Sequence, residues 1–194
     1  MLAANSHLRS EQMLKKALIY IAILIVAGIA FFGVLSYISP TRFAVEREVT
    51  INRPKNEVFE YVKLIKNQNE WGPWYKKEPT MKQEFRGTDG QVGFVSYWKG
   101  TTEEVGEGEQ EIKRIVEGER VDTELRFKQP FESKADAFII TEDAGGTATK
   151  VRWGFSGDMP RPMNLFLWAV DLDKEVGRDY EQGLADLKAI LEKR

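Results

Sequence analysis

An uncharged run of 22 residues, Ala17 to Ile38, constrains this chain more than any other feature. As an α-helix that rises about 1.5 Å per residue, the run would be roughly 33 Å long, close to the thickness of a bilayer's hydrocarbon core. Lys15 and Lys16 precede it and Pro40 follows it, which is typical of a membrane boundary. We therefore expect one transmembrane helix.

Other interpretations of the run fit less well. A cleavable signal peptide has a shorter apolar core and a small-residue cleavage site, and the following SYISPTRF offers no such site. A lipoprotein signal needs a cysteine, and the chain has none, which also excludes disulfides and thiolate metal sites. A core helix that is apolar on every face is uncommon in a small protein.

The charges beside the run bear on its orientation. Arg9, Lys15 and Lys16 precede it with only Glu11 against them, and they lie closer to the run than the basic residues that follow it. The positive-inside tendency then favours a cytoplasmic N-terminus, with the following domain on the non-cytoplasmic side.

The sequence predicts four segments: an N-terminal tail (1–16), a transmembrane helix (17–38), a linker (39–42) and one domain (43–194). Four of the 28 basic residues and one of the 30 acidic residues precede the domain, so its formal net charge is −5. Nucleic-acid binding depends on neutralising phosphates, so we expect no nucleic-acid partner. The sequence indicates no particular protein partner.

The first part of the domain combines a strand with short helices. Residues 43–51 alternate apolar and polar side chains, which predicts a half-buried strand whose apolar face is interrupted by Arg47. Pro54 is predicted to open a helix. Asn69 is expected to cap a second helix, NEWGPW, which Pro73 would end or kink.

Five or six strand-like runs follow between residues 80 and 156, joined by hairpin-length connections, which predicts an antiparallel meander. Gly106 and Gly108 share one strand face and indicate curvature or a close approach to the backbone. From Leu165 to Leu191, apolar residues recur three, four or seven apart, which predicts one long helix across the sheet. The expected architecture is α+β, a curved antiparallel sheet gripping a terminal helix.

Five sequence stretches carry a resemblance to a known family: VTINRPKNEVFEYV, NEWGPW, GEGEQEI, WGFSGDMPRPMN and GRDYEQGLADLKAILEK. From Phe43 to Arg194 the chain resembles the START-like (SRPBCC) superfamily, and within it the polyketide cyclase/dehydrase and lipid-transport group. This implies the helix-grip fold, a curved antiparallel sheet wrapped around a long C-terminal helix, here preceded by the transmembrane helix. Such families include lipid carriers, pigment binders and cyclases, so the fold does not settle the function.

The resemblance implies a ligand cavity between sheet and helix. The domain sequence contains many aromatic residues that are candidates to line this cavity. Any single one of them is better explained as core filler, whereas the group as a whole favours a pocket. NEWGPWYKK is a candidate pocket lid, and strand parity leaves open whether Phe94 and Trp98 or Val95 and Tyr97 face inward. The predicted ligand-pocket residues are Trp71, Trp74, Tyr75, Phe94, Trp98, Phe127, Phe138, Trp153, Phe155, Phe166 and Val170.

Catalytic chemistry has little support in the sequence. The only histidine, His7, precedes the apolar run, so the domain lacks a histidine-based triad and an ordinary zinc site. Asp171 and Lys174 are interpreted as a solvated helix face, and the row Glu107 to Glu111 as a solvated strand face that is unsuited to calcium. We predict no catalytic residue, metal or cofactor.

Two functions therefore remain, with a third as the simplest case. The sequence favours a membrane-tethered binding domain for a lipid-like or aromatic molecule, acting as a carrier or sensor. The alternative is a polyketide cyclase/dehydrase-type enzyme that uses acids or bases in the pocket. The third is an interaction domain with a filled core.

Overall fold

The computed structural model describes residues 2–193, and it describes side chains from residue 12 onward. The side chains of His7, Arg9 and Glu11 lie outside the described residues. Within the described chain, one unit contains residues 2–41 and 160–169, and the other contains residues 42–159 and 170–193.

The α-helices are α1 (Leu2–Ile38), α2 (Lys55–Val62), α3 (Gln68–Trp71), α4 (Pro73–Lys77), α5 (Phe166–Ala169) and α6 (Leu172–Lys193). The strands are β1 (Arg42–Ile51), β2 (Lys82–Arg86), β3 (Val95–Lys99), β4 (Glu107–Val116), β5 (Arg120–Gln129), β6 (Ser133–Asp143) and β7 (Thr149–Asp158). Single 3₁₀ turns occupy Ile65–Asn67 and Met163–Leu165.

The unit that contains α1 is built around this one helix. The segment Gln12–Ile38 is long and apolar enough to cross a membrane by its length and composition, a description that also fits a signal sequence. Its large apolar side chains are exposed along the span except that of Leu35, which is partly buried. Helix α1 also continues through the residues predicted as an N-terminal tail.

The larger unit contains a seven-stranded antiparallel sheet in the order β1-β7-β6-β5-β4-β3-β2. Every consecutive pair from β2 to β7 is joined as a hairpin, and β1 pairs with β7, so the first and last strands meet. This strand order confirms the predicted antiparallel meander. Strands that are joined by short connections pair with their neighbours in the sequence.

Helix α6 packs its apolar stripe on this sheet. Leu184, Leu187 and Leu191 are at most 5% exposed, and burial of such a side chain contributes about 1.5–3 kcal/mol. The helix begins at Leu172 and not near Leu165 as predicted. The side chain of Asp171 accepts a hydrogen bond from the Lys174 amide at 3.1 Å, the geometry of a helix N-cap, which starts α6 at that point.

The NEWGPW segment also differs from the prediction. Two short helices, α3 and α4, are separated by Gly72 in an extended conformation. Pro73 begins α4, because a proline at the first helical position loses no hydrogen bond. Asn69 lies inside α3 and caps no helix; its side chain instead pairs with Gln83.

The ambiguous parity of β3 is settled by the structure. Phe94 and Trp98 point to the inner face, and Phe94 joins a second apolar cluster with Phe59 and Ile112. Tyr97 lies on the outer face, where its hydroxyl donates a hydrogen bond to Glu107 at 2.9 Å.

Candidate ligand cavity

A cavity of about 390 Å³ lies inside the larger unit, between the inner face of the sheet and the first half of α6. Helices α3 and α4 and the loop between β3 and β4 close its sides. A cavity of this size is within the range found for small-molecule sites. The core of the domain is therefore not completely filled by its own side chains.

One wall of the cavity is aromatic. The rings of Trp153 on β7 and Tyr180 on α6 stack with centroids 3.8 Å apart and planes 4° apart. Trp74 meets both rings edge-on, with centroid distances of 5.8 and 5.9 Å. Phe155 continues this surface toward Phe43, with ring centroids 5.5 Å apart. The wall offers flat apolar surfaces to a ligand.

The Tyr180 hydroxyl is the most distinctive polar group at this wall. The residue is 3% exposed, and its hydroxyl has no hydrogen-bond partner among residues 12–193. Burial raises the pKa of this phenol far above its ordinary value. Tyr180 therefore remains neutral and has a free hydrogen-bond donor beside the cavity.

A second wall carries uncharged amide groups. The side chains of Asn69 and Gln83 exchange two hydrogen bonds of 2.8 and 2.9 Å, which ties α3 to β2. Gln110 donates to the Thr123 hydroxyl at 3.1 Å. The Nε2 group of Gln68 is buried and has no partner among the described residues. An unpaired buried amide is costly, so Gln68 lowers the stability of this wall.

The mouth of the cavity is built from the loop that connects β3 and β4. The carboxylate of Glu78 accepts hydrogen bonds from the Thr101 amide at 2.7 Å and its hydroxyl at 2.8 Å. These bonds, led by the one from the Thr101 amide, lower the pKa of Glu78. Trp98 also holds the loop, because its indole nitrogen donates to the Val105 carbonyl at 3.1 Å.

The charge of the cavity lining is one-sided. No lysine, arginine or histidine lines it among the described residues, and its only carboxylates are Glu103 and Glu104, which are exposed at the mouth. The lining therefore contains no cation that could pair with an anionic ligand.

The family model described as polyketide cyclase / dehydrase and lipid transport matches residues 42–192. The chain belongs to this family. No curated protein matches the sequence significantly.

Several solved structures have a fold similar to that of this family member. Ara h 8.0201 is 17% identical, with a TM-score of 0.53 over 79% of this chain and 99% of that one. The Aha1 dimer from Colwellia psychrerythraea is 13% identical, with a TM-score of 0.53 over 77% and 96%. DynU16, from the dynemicin biosynthetic locus, is 13% identical, with a TM-score of 0.53 over 77% and 47%. At these identities the similarities show the helix-grip fold alone.

Six of the predicted pocket residues line the cavity of this polyketide cyclase/dehydrase-family domain: Trp74, Tyr75, Trp98, Phe127, Trp153 and Phe155. The other five predicted residues are also described, and the structure does not place them in the lining. Trp71 is fully buried in the core and Phe94 in the second apolar cluster. Phe138 lies on the opposite face of β6, where the Arg120 guanidinium covers its ring.

The last two predicted residues belong to the segment before α6. Phe166 is 55% exposed in the unit that contains α1, and Val170 is partly exposed. Both follow from the late start of α6, because residues before Leu172 are not part of the helix that covers the sheet.

Several lining residues are not predicted from the sequence, among them Tyr180 and the amides Gln68, Gln83 and Gln110. Tyr180 falls within the apolar helix stripe, and its spacing alone does not distinguish a cavity residue from a core residue. A polar side chain at an inward strand position, as at Gln110, was the available signal for the amide wall.

The predicted solvated row on β4 lies on the outer face, where it is paired with cations. Arg126 forms ion pairs with Glu109 at 3.1 Å and Glu111 at 2.6 Å, and its hydrogen bond lowers the pKa of Glu111. No group of three metal-ligating side chains occurs among the described residues. The close approach predicted at Gly108 is made by the Trp98 ring, which would lie 2.6 Å from an added Cβ.

Proposed function

We propose that this family member binds an uncharged, largely apolar small molecule, lipid-like or aromatic, and holds it beside a membrane as a carrier or sensor. The observation that carries the proposal is the cavity of about 390 Å³ with an aromatic wall and with no cation in its lining among the described residues.

The charge of the ligand follows from the cost of desolvation. A carboxylate or phosphate buried without a cationic partner loses several kcal/mol of hydration free energy. A neutral carbonyl or hydroxyl oxygen loses much less, and it can accept a hydrogen bond from the Tyr180 hydroxyl. The cavity thus favours alcohols, ketones and similar neutral molecules over fatty acids.

Helix α1 supports the membrane part of the proposal. An anchor through Ala17–Ile38 would keep the domain close to a source of apolar ligands and so raise its effective concentration there. The proposed topology is single-pass, with the domain on the non-cytoplasmic side. Thr88→Cys tests it, because a membrane-impermeant thiol reagent should label that cysteine in intact cells only if the domain is exported.

A matched pair of ligands tests the binding proposal. The full chain in lipid nanodiscs is titrated calorimetrically with 2-acetonaphthone, a neutral ketone, and with 2-naphthoate, an anion of nearly equal shape, against empty nanodiscs. We expect the ketone to bind at least about tenfold more tightly, which corresponds to about 1.4 kcal/mol. Equal affinity, or no binding of either, would overturn the proposal.

Two substitutions test whether the ketone binds in the cavity. Leu125→Trp puts a bulky ring at a lining position and should abolish ketone binding. Val92→Trp makes a similar change at a residue that is 63% exposed and outside the lining, and should leave binding unchanged.

A second candidate function is catalysis of the cyclase/dehydrase type, and Tyr180 is the observation that favours it. A neutral phenol could donate a hydrogen bond to a substrate carbonyl oxygen as negative charge develops there. Binding alone predicts that a reactive polyketone is recovered unchanged after incubation with the protein. Catalysis predicts a cyclised or dehydrated product that Tyr180→Phe no longer forms.

A further inference from the structure

In the unit that contains α1, the segment 160–169 and the end of α1 bury polar side chains and expose apolar ones. Ser36, Ser39 and Asn164 are at most 3% exposed, whereas Phe166 is 55% and Trp168 is 65% exposed. A surface in water normally shows the reverse distribution, and the exposed apolar side chains need an explanation.

The buried polar groups attach the segment 160–169 to the last turn of α1. Asn164 accepts a hydrogen bond from the Ser36 hydroxyl at 2.7 Å and donates to the Ser36 carbonyl at 2.8 Å. Arg161 donates to the carbonyl oxygens of Ser36 at 3.1 Å and Tyr37 at 3.0 Å. The carbonyls at a helix C-terminus lack partners within the helix, so these bonds complete the end of α1.

This attachment fixes the depth of the segment if α1 spans a bilayer. Helix α1 ends at Ile38, the last residue of the apolar span, and that end must lie where the hydrocarbon core meets the lipid headgroups. A segment hydrogen-bonded to residues 36 and 37 lies at the same depth. Tryptophan is enriched at this interface because its ring is apolar and its N–H is polar.

We propose that the segment 160–169 is a second membrane contact, with Phe166 and Trp168 inserted at the boundary between headgroups and acyl chains. The proposal rests on the proposed membrane anchoring of α1. The side chains of Tyr37 and Ile38 at the end of α1, to which this segment is bonded, are exposed and apolar as well, which favours lipid as the partner. Arg161 adds a positive charge that suits anionic headgroups.

The absence of cysteine from the chain allows a direct depth measurement. The full chain carries one cysteine labelled with the fluorophore NBD, as Trp168→Cys, as Leu24→Cys within the apolar span, or as Val92→Cys at an exposed site of the other unit. Each protein is reconstituted into vesicles of phosphatidylcholine and phosphatidylglycerol that contain nitroxide lipids, with the nitroxide either at the headgroup or deep in the acyl chain.

We expect the label at 168 to be quenched mainly by headgroup nitroxides, the label at 24 mainly by deep nitroxides, and the label at 92 by neither. If the label at 24 is quenched by deep nitroxides but the label at 168 is quenched by neither kind, as at 92, the proposed second membrane contact is wrong. The proposed membrane anchor is supported in that case. If 24 is not quenched, both are wrong. A label at 168 that is shielded from water even without lipid would indicate a protein contact and would also overturn the proposal.

Discussion

The phenol ring of Tyr180 lies parallel to the indole of Trp153, with centroids 3.8 Å apart, so that one face of the tyrosine is covered by a residue of the sheet. The stack fixes the direction of the ring, and Trp74 meets it edge-on. The hydroxyl is therefore held in place without a hydrogen bond of its own.

Removing this hydroxyl should weaken the binding of ligands that accept a hydrogen bond. Tyr180→Phe keeps the stacked ring and removes the donor, so we expect a loss of about two- to twelvefold in affinity for 2-acetonaphthone, from a hydrogen bond of about 0.5–1.5 kcal/mol. Calorimetric titration measures this change. Naphthalene, which lacks an acceptor, should bind both proteins equally; an equal loss for both ligands would contradict the assigned role.

The raised pKa of Tyr180 predicts a loss of stability at high pH. In the unfolded chain this phenol ionises near its ordinary pKa of about 10, while in the folded protein it stays protonated. The unfolded state then binds fewer protons, so the free energy of unfolding falls as pH rises above about 10. Urea unfolding of the full chain in detergent, followed by tryptophan fluorescence, should show a smaller fall for Tyr180→Phe than for the wild type.

The lowered pKa of Glu78 predicts a loss of stability at low pH. The ionised carboxylate receives the Thr101 bonds, so its contribution to stability is present above about pH 4.3 and is lost as pH falls through the lower folded-state value. Glu78→Gln should release a bound ligand faster at neutral pH, because the mouth loop loses a charged acceptor. Stopped-flow displacement measures the rate. Glu84→Gln, on β2 and outside the cavity lining, should leave the rate unchanged.

Gly183 should be intolerant of any side chain. A Cβ there would lie 2.9 Å from the ring of Trp153 and 3.3 Å from Pro73, and both are held rigidly. We expect Gly183→Ala to lower the free energy of unfolding by about 1–3 kcal/mol, the usual cost of overpacking. Gly177→Ala in the same helix would displace the guanidinium of Arg47, which pairs with Asp173 at 2.8 Å and Glu181 at 2.7 Å, so the gain in helix propensity of about 1 kcal/mol opposes the loss of these exposed ion pairs. An unchanged free energy of unfolding for Gly183→Ala, measured by urea unfolding, would argue against a rigid contact at Gly183.

The elements with the clearest periodicity are those that the sequence predicts well. Alternation in β1 and β5 and the helical spacing of Leu184, Leu187 and Leu191 follow directly from which face is buried. The start of α6 is harder to predict, since it depends on one capping side chain, Asp171, inside a stretch whose apolar spacing still looks helical.

The cavity itself is much harder to predict from the sequence. Tyr180 and Leu187 occupy the same apolar stripe, yet one faces a cavity and the other is fully buried. This difference depends on what the sheet presents opposite each residue, which no local pattern records. The amides Gln68, Gln83 and Gln110 belong to α3, β2 and β4, and they line one cavity only in the folded domain.

The ammonium of Lys77 on α4 contacts Glu104 of the mouth loop at 2.6 Å and Asp179 of α6 at 2.9 Å, so one side chain joins three parts of the cavity rim. Ion pairs that are this accessible to water contribute only about 0–1 kcal/mol, and salt screens them. Separating the rim therefore costs little free energy. The residence time of a bound molecule would then be set by its contacts with the aromatic wall, and exchange with the surroundings would need no large rearrangement of the fold.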